Sequence, residues 1–472
     1  MLRENITMLK TTFNICLFFI CFSAQAQYSI TFNVKGLKQE SYTIGHYFGA
    51  KQFIVKDTAA NSGSLVFTGN TNLPSGMYLL MNTKKTKLFE FVIKDSQQIV
   101  FESDTLNLLQ NMKVSSCKQN QIFLEYQQKI KVANEEIAMI QMQERLSGKN
   151  DAMASIKISK IRQSAGVSMQ TFLAKNKGEW AEKLIQSGSE IQIPNAPKLA
   201  NGKIDSTWQY KYYRNHFWDN FDFSDESLVR TPFLQRRLDR FMDNVTAQVG
   251  DSLISSADVV IQKAVDGKNK EMTAFCIWYI TNKYENYDLF GAEGVFVYLA
   301  EKYYVGGIMP ITDPATVEGI KKKIEILKPL LIGKTFPELS MSDSIRIQKP
   351  VKDIKANYTI LYFYDPNCGH CKKSAPVLKE FYAKNKDKGV VIYAPAVTGS
   401  PESWKQFIND YGTQGWLNTF DFSSGIDFRQ TFDVVKTPMI YVLDKDKKII
   451  ARKIDAENLS AFFNYYEKRS LK

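Results

Sequence analysis

The sequence predicts a multidomain chain in which an N-terminal antiparallel β domain and a central α-helical domain precede a C-terminal α/β domain. The chain has 472 residues, which is too long for one hydrophobic core and predicts roughly two to four domains. Hydrophobic residues make up 44% of the chain, as in globular proteins. The periodicity of the apolar residues changes twice, and these changes place the predicted domains at residues 27–112, 113–330 and 331–472.

The first domain shows the alternation that is typical of β-strands. Tyr28, Ile30, Phe32 and Val34 alternate with polar residues, and Gly36 ends the run. Turn residues separate further strand-like segments at residues 42–47, 52–55, 64–67, 77–81, 88–93 and 98–101. Many short strands joined by turns predict an antiparallel sandwich or half-barrel.

The second domain shows helical spacing. Ile122, Tyr126, Ile130 and Ala133 share one face of a predicted helix. Further helices are predicted near residues 151–176, 206–221, 232–249, 252–266 and 269–285, and a last one begins at Asp313-Pro314. No fixed repeat is visible, so we do not predict a solenoid.

The third domain alternates strands and helices. The predicted elements are a strand at 358–364, helices at 372–385 and 402–411 around a strand at 390–397, a helix near 427–432, two strands at 439–443 and 448–451, and a closing helix at 456–468. This order implies an α/β sheet with helices on both faces.

Two closely spaced cysteines stand at the first strand-to-helix junction of this domain. Asp365-Pro366-Asn367 ends the strand, and Cys368-Gly369-His370-Cys371 leads into the helix. The first thiol then faces the unpaired N–H groups and the positive end of the helix dipole, which favour a thiolate. The pattern predicts thiol–disulfide exchange.

Two other interpretations of the cysteine pair stay open, namely half of a zinc site and an inert structural disulfide. A zinc site needs two more ligands, usually a second close cysteine pair or a histidine pair. The chain has three histidines, and it has no second close cysteine pair outside the signal-like segment. Redox activity is therefore favoured, and we predict no metal and no cofactor.

The first 26 residues have the features of a secretory signal peptide. Arg3 and Lys10 precede the apolar run from Ile15 to Phe22, and Ala24-Gln25-Ala26 supplies small residues for cleavage after Ala26. The run is far shorter than the roughly 20 residues that span a bilayer, and no later segment is long and apolar enough. The mature chain is predicted to be periplasmic, with no transmembrane span.

Cleavage would leave four cysteines. In an oxidising compartment a close pair such as Cys368 and Cys371 is meaningful, because disulfides form there. Cys117 and Cys276 are predicted to be buried free thiols, although a disulfide between them stays open.

The net charge of +12 comes from scattered lysines. The short run at residues 321–323 has Glu318 and Glu325 nearby, as on a solvated helix face. We therefore predict no nucleic-acid partner. Weak attraction to acidic membrane surfaces remains open.

The last 140 or so residues resemble the TlpA/ResA-like thiol–disulfide oxidoreductases, which are periplasmic or membrane-associated proteins of the thioredoxin fold. The resemblance is carried by the entry from Gly333-Lys334 to Pro337, by Phe363, by Cys368-Gly369-His370-Cys371-Lys372-Lys373 with Pro376, and by Val434-Val435-Lys436-Thr437-Pro438. The whole layout also resembles envelope proteins with an N-terminal β domain and a helical insert before this module. The resemblance implies a thioredoxin fold with Pro438 at the cis-proline position.

Three positions depart from the family pattern. Many members have Trp just before the first cysteine, where this chain has Asn367. Thioredoxins carry a buried Asp six residues before that cysteine, and this chain has Tyr362. ResA carries a Glu three residues after the second cysteine, and this chain has Ser374. A carboxylate that relays protons is thus missing from its usual place, where water or Asp365 could substitute.

We predict a periplasmic thiol–disulfide oxidoreductase that acts on disulfides of envelope proteins. A reductase of this type would take electrons from a transmembrane donor, whereas an oxidase or isomerase would not. The predicted site consists of the attacking Cys368, the resolving Cys371, Gly369 and His370 as tuning residues, and Thr437 and Pro438 in the substrate groove.

The alternative is an envelope binding or assembly protein. In this hypothesis residues 27–330 recognise a partner, and the redox module only holds or senses it. The absence of catalytic motifs from these long domains is the observation behind it.

Overall fold

The structure is a computed structural model, and it describes residues 26–147, 152–199, 201–285 and 291–470. The chain forms two compact units. The first contains the residues up to Tyr47 together with Gln52–Glu182, and the second contains Phe48–Lys51 together with Lys183–Lys472. Except for Ala26, the predicted signal peptide lies outside the described residues.

The first unit begins with two four-stranded sheets whose orders are β4-β1-β7-β8 and β3-β2-β5-β6. The strands are β1 (Tyr28–Lys35), β2 (Ser41–Phe48), β3 (Lys51–Ala59), β4 (Ser64–Gly69), β5 (Gly76–Met81), β6 (Lys87–Ile93), β7 (Gln98–Asp104) and β8 (Lys113–Val114). The predicted antiparallel β domain is confirmed, with one parallel pair between β1 and β7.

The core of this sandwich is aromatic because the alternating positions of both sheets point into it. Phe32 stacks on Phe101 at 4.8 Å between ring centroids and meets Phe91 edge-on at 5.6 Å. All three rings are fully buried in a single cluster that draws on both sheets. Such pairs add to the burial of apolar area that holds the two sheets together.

Helices fill the middle of the chain, as predicted. They are α1 (Lys118–Ser147), α2 (Ala152–Lys175), α3 (Trp180–Ser187), α4 (Trp208–His216), α5 (Pro232–Arg240), α6 (Gly250–Asp266), α7 (Lys270–Glu285), α8 (Ala292–Leu299) and α9 (Pro314–Leu327). The division between the compact units falls within α3. This division does not test the predicted domain limits at residues 112 and 330, which remain predictions. Across the described ranges, no helix combines the length and apolar character needed to cross a membrane.

The C-terminal part contains a seven-stranded sheet in the order β10-β9-β13-β12-β11-β14-β15. Its elements are β9 (Ser340–Ser342), β10 (Gln348–Pro350), β11 (Tyr358–Phe363), α10 (Gly369–Asn385), β12 (Val390–Ala396), α11 (Pro401–Tyr411), β13 (Leu417–Phe420), α12 (Phe428–Phe432), β14 (Met439–Leu443), β15 (Ile449–Arg452) and α13 (Leu459–Ser470). This is the predicted thioredoxin-like α/β fold.

Alternation along the central strand β11 builds a core on each face of this sheet. Tyr362 packs into the cluster that contains residues of α10, α11 and α13. Leu361 and Phe363 pack into the cluster on the opposite face, which includes residues of α12. Because β11 lies between β12 and β14, its C-terminal end is held on both sides, and the cysteine pair follows directly.

Candidate active site

A tight turn carries the chain from β11 to the cysteine pair. The Asp365 side chain accepts a hydrogen bond from the Asn367 N–H at 2.8 Å, and the Asp365 carbonyl accepts one from the Cys368 N–H at 3.1 Å. Cys368 then takes the N-cap position of α10 with extended backbone angles, φ −70° and ψ 125°. The thiol therefore stands at the positive end of a 17-residue helix.

The Cys368 thiol is partly exposed and activated. Its Sγ lies 3.5 Å from the carbonyl oxygen of Thr437, to which the thiol donates. Partial burial on its own would raise the pKa of Cys368, but hydrogen bonds from the Cys371 backbone and the Thr437 side chain outweigh it and lower that pKa. A thiol with these properties is an accessible nucleophile.

Cys371 has the opposite character. It is completely buried in the core cluster between α10 and β11. Burial raises the pKa of Cys371 to about 12. The pair therefore combines an accessible thiol that ionises readily with a buried thiol that stays protonated.

The other predicted site residues lie around this pair. Thr437 and Pro438 precede β14, are joined by a cis peptide bond, and are both partly exposed. Gly369 and His370 form the exposed start of α10. A Cβ atom at Gly369 would meet open space, so packing does not require glycine there. The structure thus brings all six predicted residues to one end of the sheet.

A cavity of about 980 Å³ opens beside Pro438. It runs along β15 to α13, and Ile450 and Phe462 are among the residues that line it. A segment bound at Pro438 would have room to continue into this space.

Two buried hydroxyls beside Cys371 were noted in the sequence only as departures from a family pattern. Tyr362 lies on β11 and Ser374 on α10, and both hydroxyl groups contact the Cys371 carbonyl. Strand alternation places Tyr362 on one face of the sheet, but the sequence alone does not reveal which part of α10 covers it. Within the described ranges, no group of three or more His, Cys, Asp or Glu residues is arranged to hold a metal ion.

The difference between the two thiols predicts selective alkylation. Iodoacetamide at neutral pH should modify Cys368 and leave Cys371 unmodified in the folded, reduced protein. The rate should rise with pH around a midpoint below the roughly 8.5 of a free thiol, because the thiolate is the reacting form. Mass spectrometry of peptides after timed quenching measures both sites. Equal labelling of the two cysteines would contradict the assignment.

Two family models and a group of curated relatives match parts of this chain. Residues 356–449 match a family model described as Thioredoxin-like, and residues 168–327 match one described as a domain of unknown function (DUF5106). The chain is 30% identical over 141 residues to the thiol-disulfide oxidoreductase ResA of Bacillus thuringiensis (strain Al Hakam). The matched region covers 29% of this chain and 78% of that relative.

Two solved structures are also similar. A domain of a possible thiol-disulfide isomerase from Cytophaga hutchinsonii is 43% identical, and the match covers 30% of this chain and 96% of that one with a TM-score of 0.29. A thioredoxin-like protein from Bacteroides caccae is 18% identical, and the match covers 58% of this chain and 99% of that one with a TM-score of 0.46.

Proposed function

This chain belongs to the ResA-like, thioredoxin-fold family of thiol–disulfide oxidoreductases, and we propose that it exchanges protein disulfides in the periplasm through its Cys368–Cys371 pair. The observation that carries the proposal is the contrast between the two thiols. Cys368 is accessible and has a lowered pKa, whereas Cys371 is buried and has a raised one. Attack and resolution need these different properties.

The proposed reaction has two displacements. The Cys368 thiolate attacks a disulfide of the partner, so one partner sulfur leaves as a thiolate and takes up a proton. Cys371 then loses its proton and attacks the Cys368 sulfur of the mixed disulfide, which releases the second partner thiol. Two electrons pass from the pair to the partner, and the Cys368–Cys371 disulfide remains. The reverse sequence oxidises a dithiol.

The surrounding residues are assigned supporting roles in this proposal. Thr437 offers backbone hydrogen bonds to an extended substrate segment, and Pro438 shapes the groove beside the cavity. Gly369 and His370 tune the potential, and the backbone of His370 also contributes to lowering the pKa of Cys368. The proposed substrates are disulfide-containing envelope proteins, and a reductase would be recharged by a transmembrane electron donor.

The periplasmic assignment rests on the signal-like segment at residues 1–26. A close cysteine pair of low-pKa and high-pKa thiols is useful where disulfides form and must be rearranged. Attachment to the membrane surface is the accompanying proposal.

A redox titration of the full chain tests the proposal. The protein is equilibrated in glutathione buffers, quenched with a maleimide that shifts its mobility on a gel, and scored for free thiols. We expect one two-electron transition, which Cys371→Ser removes. A potential near about −180 mV would indicate an oxidase or isomerase, and one near about −270 mV a reductase. A pair that never changes state would contradict the proposal and favour the binding function.

A further inference from the structure

Two buried hydroxyls contact the backbone carbonyl of the resolving cysteine and also contact each other. The Tyr362 hydroxyl donates to the Cys371 carbonyl at 2.9 Å, and the Ser374 hydroxyl donates to the same carbonyl at 3.1 Å. The two hydroxyl oxygens lie 2.8 Å apart. Tyr362 is fully buried and Ser374 is 7% exposed, so water does not compete freely for these groups.

The arrangement has more contacts than protons. Two hydroxyl hydrogens serve three hydrogen-bond contacts, so one contact is without a proton at any moment. If the Tyr362 hydrogen turns away, Ser374 still satisfies the Cys371 carbonyl. The Tyr362 donor can therefore be redirected without leaving a buried carbonyl unpaired.

The resolving step creates a negative charge on the Cys371 sulfur, beside these hydroxyl groups. Cys371 must become a thiolate inside an apolar cluster, where an uncompensated charge is costly. Among the described residues, the buried acidic side chains are Glu182 and Glu293, and both lie outside the α/β domain. The Asp365 carboxylate already accepts a hydrogen bond from the turn before the helix. Burial dominates the raised pKa of Cys371, which hydrogen bonds with the Asp365 backbone and the Thr437 side chain lower only in part. The Tyr362 hydroxyl is a further buried donor at the same residue.

We propose that Tyr362, supported by Ser374, is a positioning residue of the resolving step, in which its hydroxyl stabilises the Cys371 thiolate. The inference rests on the proposed function of the cysteine pair. In the step itself, the Cys371 proton passes to water, a bond forms between the Cys371 and Cys368 sulfurs, and the Cys368–partner S–S bond breaks. The electron pair departs with the partner sulfur, which is then protonated by water.

The electrostatics of Tyr362 agree with a donor role. Burial raises the pKa of Tyr362 far above its usual range, and the neighbouring Cys371 raises it further. The phenol therefore remains neutral and keeps its hydrogen at every pH at which the enzyme works. It stabilises a thiolate by donation and does not act as a base.

Ellman's reagent separates the two displacements. Cys368 attacks it and releases the first thionitrobenzoate, and Cys371 releases the second when it resolves the mixed disulfide. In stopped-flow measurements on the full chain, Tyr362→Phe should slow the second release about tenfold or more, because it removes a hydrogen bond to a charged group. The pH profile of that step should move to higher pH, while the first release stays unchanged. Ser374→Ala should produce a smaller change in the same direction.

Tyr364→Phe is the matched control. Tyr364 is also fully buried on β11 and stacks on Tyr362 at 5.2 Å, but its hydroxyl makes no hydrogen bond with Cys371 or Ser374. A second release that keeps the wild-type rate and pH profile in both Tyr362→Phe and Ser374→Ala would overturn the inference alone. A wild-type protein that gives no second release would overturn the proposed function as well.

Discussion

Replacing Cys368 by serine should reduce disulfide exchange to the rate of the reductant alone. A serine hydroxyl does not ionise at neutral pH, and the helix N-terminus and the contact with Thr437 do not make it a comparable nucleophile. Insulin reduction by the full chain with dithiothreitol, followed by turbidity, measures the loss. Cys371→Ser should behave differently, because the first attack remains and a mixed disulfide accumulates that non-reducing gels detect.

Cys276→Ser is the matched control for the loss of a thiol. Cys276 is completely buried in α7, and burial raises its pKa, so it offers no thiolate to a substrate. Its replacement should leave exchange at the wild-type rate. Full activity in Cys368→Ser would remove this thiol from the mechanism and leave the envelope-binding function as the better account of the chain.

The sequence predicts local elements well where one face of an element is buried. The alternation from Tyr28 to Val34 indicates β1, and the helical spacing from Ile122 indicates α1. It does not predict that β1 pairs in parallel with β7, because strand alternation selects a face and not a partner. Pairing between strands that are far apart in the chain depends on how the whole sandwich packs.

Short or fully buried elements are the ones that the sequence analysis missed. The strand β13 has four residues and the strands β9 and β10 have three each, so each is too short to show a period. Helix α8 is apolar on nearly all sides, since six of its eight residues are buried. A helix without a polar face shows no amphipathic pattern.

The residues of the active site likewise fall into two groups, those that the sequence reveals and those that only the structure reveals. The cysteine pair and Thr437-Pro438 are visible as motifs, because their chemistry depends on residue type and spacing along the chain. The contact of Tyr362 and Ser374 with the Cys371 carbonyl depends on how α10 lies on β11. That placement follows from packing across the core, so the sequence shows only that two expected carboxylates are missing.

Breaking a buried ion-pair network in the second compact unit should have the largest effect on the free energy of unfolding. Arg452 on β15 is almost fully buried, with 1% of its side chain exposed. Its guanidinium lies 2.6 Å from the Asp433 carboxylate and 3.6 Å from the Glu293 carboxylate. Arg452→Ala would leave two nearly buried carboxylates close together, and we expect a loss of about 3–5 kcal/mol in the free energy of unfolding.

Lys453→Ala is the control, because Lys453 reaches the same two carboxylates at 3.4 Å with 39% of its side chain exposed. Its loss should cost about 0–1 kcal/mol, as for other solvent-screened pairs. Urea denaturation of the full chain, followed by tryptophan fluorescence, compares the variants. Equal midpoints for Arg452→Ala and Lys453→Ala would contradict the prediction. Glu293 lies on α8 and Arg452 lies in the α/β sheet, so the ion-pair network joins these two parts of the chain. Arg452→Ala should therefore also make the unfolding of these two parts less cooperative.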